Sequence, residues 1–184
     1  MTAAQVPISF EFFPPNTPVG DEKLKGVVQE LGALKPEFFS VTYGAGGSTR
    51  DKTLATVSAI ADAGFEAAPH LSCVGSTRAN LQEILATYRA RNIHRLVALR
   101  GDMPSGTHMA GEFRYAAELV RFIRDTQGPD WRIEVAAYPE YHPEQRYAAR
   151  VPPTHDRCGA ASKPASAIAL TVASVFSRVE PPAP

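Results

Sequence analysis

At 184 residues the chain is long enough for one domain with a sizeable core. Nineteen basic side chains balance nineteen acidic ones, which excludes a global field that would draw the protein to nucleic acid or an anionic membrane. No apolar run approaches the roughly 20 residues needed to span a bilayer, and the first seven residues lack the basic start and apolar stretch of a signal peptide. Cys73 and Cys158 lie far apart, form no Cys-x-x-Cys motif and read as buried or incidental thiols. The expected compartment is a reducing cytoplasm.

Five strand-like segments recur along the first three-quarters of the chain: Ile8–Phe13, Phe38–Tyr43, Ala67–Leu71, Leu96–Leu99 and Ile133–Tyr138. Four of the five begin about thirty residues apart, a spacing that holds a strand, a loop, a helix and a return loop. Helical periodicity fills the gaps. Asp21–Leu34 sets Leu24, Val27, Val28, Leu31 and Leu34 on one face, and Lys35-Pro36 stops it. Thr49–Ala63 carries Leu54, Val57 and Ile60, with Gly64 as its C-terminal cap. Thr77–Asn92 carries Leu81, Ile84, Leu85 and Tyr88, capped by Ser76 or Thr77, and Glu112–Gln127 carries Leu119, Val120 and Ile123. Alternating strands and helices of this kind predict an α/β protein with a parallel sheet.

The chemistry-bearing residues fall at the ends of these strands, where the loops of parallel α/β folds hold their sites. Leu96-Val97-Ala98-Leu99 runs into Arg100-Gly101-Asp102, without the alternation of a half-exposed strand. In the first strand, alternation sets Ser9 and Glu11 on one face and Ile8, Phe10 and Phe12 on the other. In a barrel Glu11 would face inward, where a carboxylate is costly unless paired, protonated or used. The bland alternative is a structural acid in an ion pair with Arg100. Gly44-Ala45-Gly46-Gly47 precedes a helix and could present backbone N–H groups to an anion; a plain turn fits as well. His70 and His142 lack the spacing of a metal motif and read as polar lining of a pocket.

Beyond Glu144 the rhythm fails. Residues 145–184 hold six prolines and two acids, which reads either as a disordered tail or, preferred here, as a frame change or premature end. The expected domains are therefore 1–144 and a tail, 145–184.

Taken together, Phe10-Glu11-Phe12-Phe13-Pro14-Pro15, Ser40-Val41-Thr42-Tyr43-Gly44-Ala45, Ala67-Ala68-Pro69-His70-Leu71, Ala98-Leu99-Arg100-Gly101-Asp102 and Ala136-Ala137-Tyr138-Pro139-Glu140, with His142-Pro143 after them, resemble the methylenetetrahydrofolate reductase family. The resemblance spans residues 8 to about 144. It implies a (β/α)8 TIM barrel, truncated here to about five βα units, holding FAD at the C-terminal ends of its strands. The implied activity is reduction of 5,10-methylenetetrahydrofolate to 5-methyltetrahydrofolate with NAD(P)H, in one-carbon and methionine metabolism. By the same resemblance, Glu11 matches the acid that assists protonation of the folate, and Asp102 matches a carboxylate near flavin and pteridine. Thr42, His70, Arg100, Gly101, Asp102, Tyr115, Ala116, Ala136, Tyr138 and His142 match positions lining the flavin site. The implied partners are the two small-molecule substrates, with no metal, nucleic acid or membrane, and a homo-oligomer once complete. Missing from the chain are a later flavin-contacting helix and a strand with a folate-binding Gln. The alternative is a non-catalytic α/β fragment or binding domain that completes its fold with another chain.

Overall fold

The computed structural model describes residues 7–43, 49–101 and 111–136. Five strands and four helices alternate: β1 (Ser9–Phe12), α1 (Pro18–Gly32), β2 (Phe38–Val41), α2 (Arg50–Asp62), β3 (Ala67–Ser72), α3 (Arg78–Ala90), β4 (Arg95–Leu99), α4 (Ala116–Gln127) and β5 (Arg132–Val135). The strands form one parallel sheet in the order β1-β2-β3-β4-β5. Sequential neighbours joined by helical crossovers, all wound in one sense, make an arc of the singly wound kind. Among the described residues the sheet does not close: β1 and β5 are its two edges.

Side-chain alternation divides the sheet into two unequal faces. Phe12, Phe39, Val41, Leu71, Leu96 and Ala98 point toward the helices and join Val28, Val57, Ile60, Leu81, Leu85, Leu119 and Ile123 in the main core. Phe39 anchors its β1 end, fully buried, stacked on Phe10 and Phe12 and edge-on to Phe65. Burying a side chain of that size contributes about 1.5–3 kcal/mol. Phe38, Ala68 and Val97, with Leu99, form a smaller cluster on the opposite face. That second face also carries Glu11 and His70, in register with Ser40 and Val97 of neighbouring strands, and by alternation Thr42, just past β2.

The helix starts are set by side-chain caps. Thr17, Thr49 and Thr77 lie in extended backbone and accept hydrogen bonds from the N–H groups of Gly20, Lys52 and Asn80. α1 begins at Pro18, three residues before the expected Asp21, because Thr17 caps it and Pro18 suits the first turn. It also ends early: Ala33 is the cap, Lys35 turns to a φ of 54°, and Leu34 is 58 % exposed instead of joining the apolar face. α4 begins at Ala116 and not at Glu112. Glu112 serves α3 instead, its carboxylate accepting the N–H of Arg78 at 2.6 Å. The cap of α2 is Ala63; the expected Gly64 follows it with a φ of 87°.

Candidate functional site

At the C-terminal end of the sheet, three sequence-predicted residues come from three adjacent strands. Glu11 lies in β1 opposite Ser40 of β2, Thr42 follows β2, and His70 lies in β3 opposite Val97 of β4. The Thr42 N–H donates to the Phe12 carbonyl, and the Thr53 hydroxyl of α2 donates to the Thr42 carbonyl, so this backbone is held on both sides. Glu11 and His70, fifty-nine positions apart in the chain, meet on the sheet face opposite the helices with His70 Nε2 3.3 Å from Glu11 Oε2. The partner the structure assigns to Glu11 is thus His70, in place of the Arg100 considered from sequence. The imidazole holds the Glu11 carboxyl below the usual carboxylate range, against an opposing push from partial burial.

Two polar atoms here lack aligned partners. The Thr42 hydroxyl is buried with no hydrogen bond among the described residues. His70 Nε2 is buried too, and its approach to Glu11 is at ion-pair distance without hydrogen-bond alignment. Buried polar groups are rarely left this way unless something else completes them. Phe13, Tyr43 and Tyr115 stand exposed at the strand ends and helix start of the same rim. Phe13 and Tyr43 were absent from the sequence-based set; the clue available was their position directly after β1 and β2.

Gly101 follows β4 by two residues with a φ of 82°. A Cβ there would come within 2.9–3.0 Å of Ser72 and Val74 side-chain atoms, so both backbone angle and space require glycine. Arg100 and its neighbour stitch β4 to the loop after β3: the Arg100 carbonyl accepts from the Val74 N–H, the Leu99 carbonyl accepts from the Cys73 N–H, and Arg100 Nε donates to the Gly101 carbonyl. Cys73 is buried against this loop, and desolvation pushes its thiol up to about 11, which leaves it a protonated packing group.

The remaining predicted residues are spread wider. Tyr115 caps α4 and is exposed, with Ala116 in the first turn beside it; the Glu118 carboxylate accepts the Arg114 N–H at 2.6 Å. The segment leading into α4 is tied to the loop before α3 by Glu112 N–H donating to the Ser76 carbonyl. Ala136 lies one residue past β5, exposed. Asp102, Tyr138 and His142, the Gly44–Ser48 part of the glycine-rich loop and the 145–184 tail lie outside the described residues.

The opposite end of the same sheet holds a cluster that the sequence reading missed. Arg95, first residue of β4 and 3 % exposed, donates to Glu37, Glu66 and Glu134 at 2.8, 3.1 and 3.0 Å and covers the Phe38 ring at 4.4 Å. Arg132 adds a second cation on Glu66 at 2.9 Å. Burial pushes the Glu134 carboxyl up, against the pull of Arg95. No motif marks this cluster; an arginine before an apolar run was the one available sign.

Comparison with known proteins agrees with the strand-end motifs. The family model for methylenetetrahydrofolate reductase matches residues 1–157. The 5,10-methylenetetrahydrofolate reductase of Salmonella typhimurium is 44 % identical over 145 residues, covering 78 % of this chain and 48 % of that protein. The Escherichia coli protein of the same name is 43 % identical over the same shares. The Arabidopsis thaliana methylenetetrahydrofolate reductase (NADH) 1 is 39 % identical over 76 % of this chain and 24 % of its own length. The chain therefore spans about half the length, or less, of the curated relatives it matches. With a family match over most of its residues, the chain belongs to the methylenetetrahydrofolate reductase family.

Proposed function

We propose that this chain is the N-terminal part of a flavin-dependent reductase that converts 5,10-methylenetetrahydrofolate to 5-methyltetrahydrofolate with NAD(P)H, in the one-carbon and methionine metabolism of the cytoplasm. Its five strands are the first arc of a (β/α)8 barrel, a fold that usually needs about 250 residues, with residues 145–184 outside the family barrel. The observation that carries this reading is the Glu11–His70 pair on the sheet face opposite the helices, with the Thr42 hydroxyl making no hydrogen bond among the described residues.

The residues present fit FAD. The Thr42 hydroxyl and His70 Nε2 are buried polar atoms without a hydrogen bond among the described residues, and Gly101 keeps the β4 end free of a side chain where one would collide. Thr42, His70, Arg100 and Gly101 would hold the group from the described strand ends, with Tyr115, Ala116 and Ala136 at the edges and Asp102, Tyr138 and His142 from the flanking segments. When bound, FAD supplies the hydride chemistry, and the protein supplies orientation, a proton and a tuned field. Glu11 would deliver the proton to the folate as the one-carbon bridge opens, and by the family resemblance Asp102 would supply a carboxylate to the same chemistry.

The test is complementation, because β1 and β5 are open edges among the described residues. The chain is co-expressed with the C-terminal half of a relative's barrel. The expected outcome is stoichiometric flavin, reduced by NAD(P)H, with turnover of the folate. A folded complex without flavin would overturn the reading. In that complex Glu11→Gln retains flavin reduction while folate reduction falls about 10²–10⁴-fold. The open edges also favour a second reading, a non-catalytic fragment that docks on another chain; a complex that folds but turns over nothing would select it.

A further inference from the structure

Resting on the folate-reductase reading, we propose that Glu112 is a positioning residue of the proposed flavin site: it locks the stretch that carries Tyr115 and Ala116 onto the same loop that is bonded to Arg100 and Gly101. Both stretches are assigned above to the flavin, and residues 72–78, between β3 and α3, are their common support. From the β4 end, the Leu99 and Arg100 carbonyls accept the Cys73 and Val74 N–H groups at 3.1 and 2.8 Å. Gly101 packs so tightly there that a Cβ would meet Ser72 and Val74 within 2.9–3.0 Å.

The approach to α4 lands on the same loop. Gly111 lies backbone against backbone with Gly75: a Cβ on Gly111 would come within 2.7 Å of the Gly75 nitrogen and 2.9 Å of the Ser76 nitrogen. The Glu112 N–H then donates to the Ser76 carbonyl at 3.1 Å. Buried Cys73 in this loop feels the charges of both Arg100 and Glu118, which puts the two stretches within electrostatic reach of one support.

The Glu112 carboxylate supplies direction. One oxygen accepts the Arg78 N–H at 2.6 Å, and the other faces Arg78 Nε at 3.7 Å. Phe113, 3 % exposed, meets Phe122 edge-on, and the Arg78 guanidinium lies over both rings at 5.1 and 5.3 Å. Apolar burial holds the segment down but is non-directional; a charge-assisted hydrogen bond fixes its geometry. Further along, the Glu118 carboxylate accepts the Arg114 and Tyr115 N–H groups at 2.6 and 3.4 Å. The run from Glu112 to Tyr115 is therefore held by a carboxylate at each end. Glu118 fastens it to α4, and Glu112 fastens it to α3 and the loop that bears the β4 end.

The experiment follows amide hydrogen exchange, residue by residue, in the full chain without flavin, for Glu112→Ala and Glu112→Gln. The Glu112 side chain is 47 % exposed, so its loss leaves no hole in the core. A role confined to capping α3 would speed exchange in the first turn of α3 alone. The positioning role predicts exchange about tenfold faster, the scale of one lost hydrogen bond, at Arg114 and Tyr115 as well. Glu112→Gln keeps an acceptor oxygen for the Arg78 N–H and should restore the protection. Faster exchange only within α3, or no rescue by Glu112→Gln, overturns the proposal. In the complemented protein, flavin should bind about tenfold more weakly to Glu112→Ala, again one hydrogen bond's worth, and Glu112→Gln should recover it. Unaltered flavin affinity in Glu112→Ala also overturns the positioning role. An unmodified complex without flavin would instead overturn the folate-reductase reading, and the exchange pattern, measured without flavin, is a separate result.

Discussion

The two ends of one sheet treat charge in opposite ways. At the N-terminal end, Arg95 is almost fully buried yet saturated by three carboxylates and an aromatic face. At the C-terminal end, Glu11 meets His70 without full alignment, and the Thr42 hydroxyl has no partner among the described residues. A buried charge with a carboxylate on each of its nitrogens ties strands together, whereas polar atoms left open cost stability and suit a ligand that completes them. The same contrast between a stabilising bottom and a functional top is general to barrels of parallel strands.

The comparison breaks most forcefully at Arg95. Arg95→Ala would leave Glu37, Glu66 and Glu134 facing one another with Arg132 as the remaining cation, and breaking a buried ion pair costs about 3–5 kcal/mol. Denaturant unfolding should show that loss; a loss under about 1 kcal/mol, the scale of a surface pair, would show that the cluster does not hold the strands. Gly101→Ala comes next. Its φ of 82° and the close approach of Ser72 and Val74 predict a loss of about 1–3 kcal/mol by the same measurement, together with weaker flavin binding in the complemented protein.

Thr42→Val sharpens the contrast because its two readouts should diverge. Removing a buried hydroxyl that makes no hydrogen bond should leave the free chain within about 1 kcal/mol of its original stability, or raise it. Flavin affinity in the complemented protein should nevertheless fall. Equal losses in both would mean that Thr42 has a structural partner and no ligand role.

The smallest effect is in pH dependence. Glu11 is shifted down on folding, so its contribution is present above the unfolded carboxyl value of 4.5 and is lost as pH falls through the folded value. Glu134 is shifted up, so its contribution is present below 4.5 and lost as pH rises through the folded value. Unfolding midpoints followed from acid to neutral pH should therefore show opposite changes of slope in Glu11→Gln and Glu134→Gln. Parallel profiles would contradict the difference between the two ends.

Much of the architecture was legible because it depends on local pattern. Apolar runs and helical periodicity located all five strands and four helices, since the burial that stabilises them is written every two or every three to four residues. Boundaries moved where a side chain acted on another element. Glu112 looked like the start of α4 and instead caps α3. Leu34 continued a helical stripe past a helix that had already ended. The strand predicted from Leu96 begins at Arg95, because hydrophobicity counts an arginine out of a core even where three carboxylates bring it in.

The sequence by itself determined the alternation of strands and helices, the face on which Glu11 lies, the placing of polar residues at strand ends and the family to which they belong. Only the tertiary structure decided which of those residues meet. Glu11 and His70 are brought together across β2, and Arg95 draws in Glu37, Glu66 and Glu134 from three other strands or their starts. Periodicity encodes which way a side chain points. Contact between distant residues depends on strand order and register, which are set by the packing of the whole sheet.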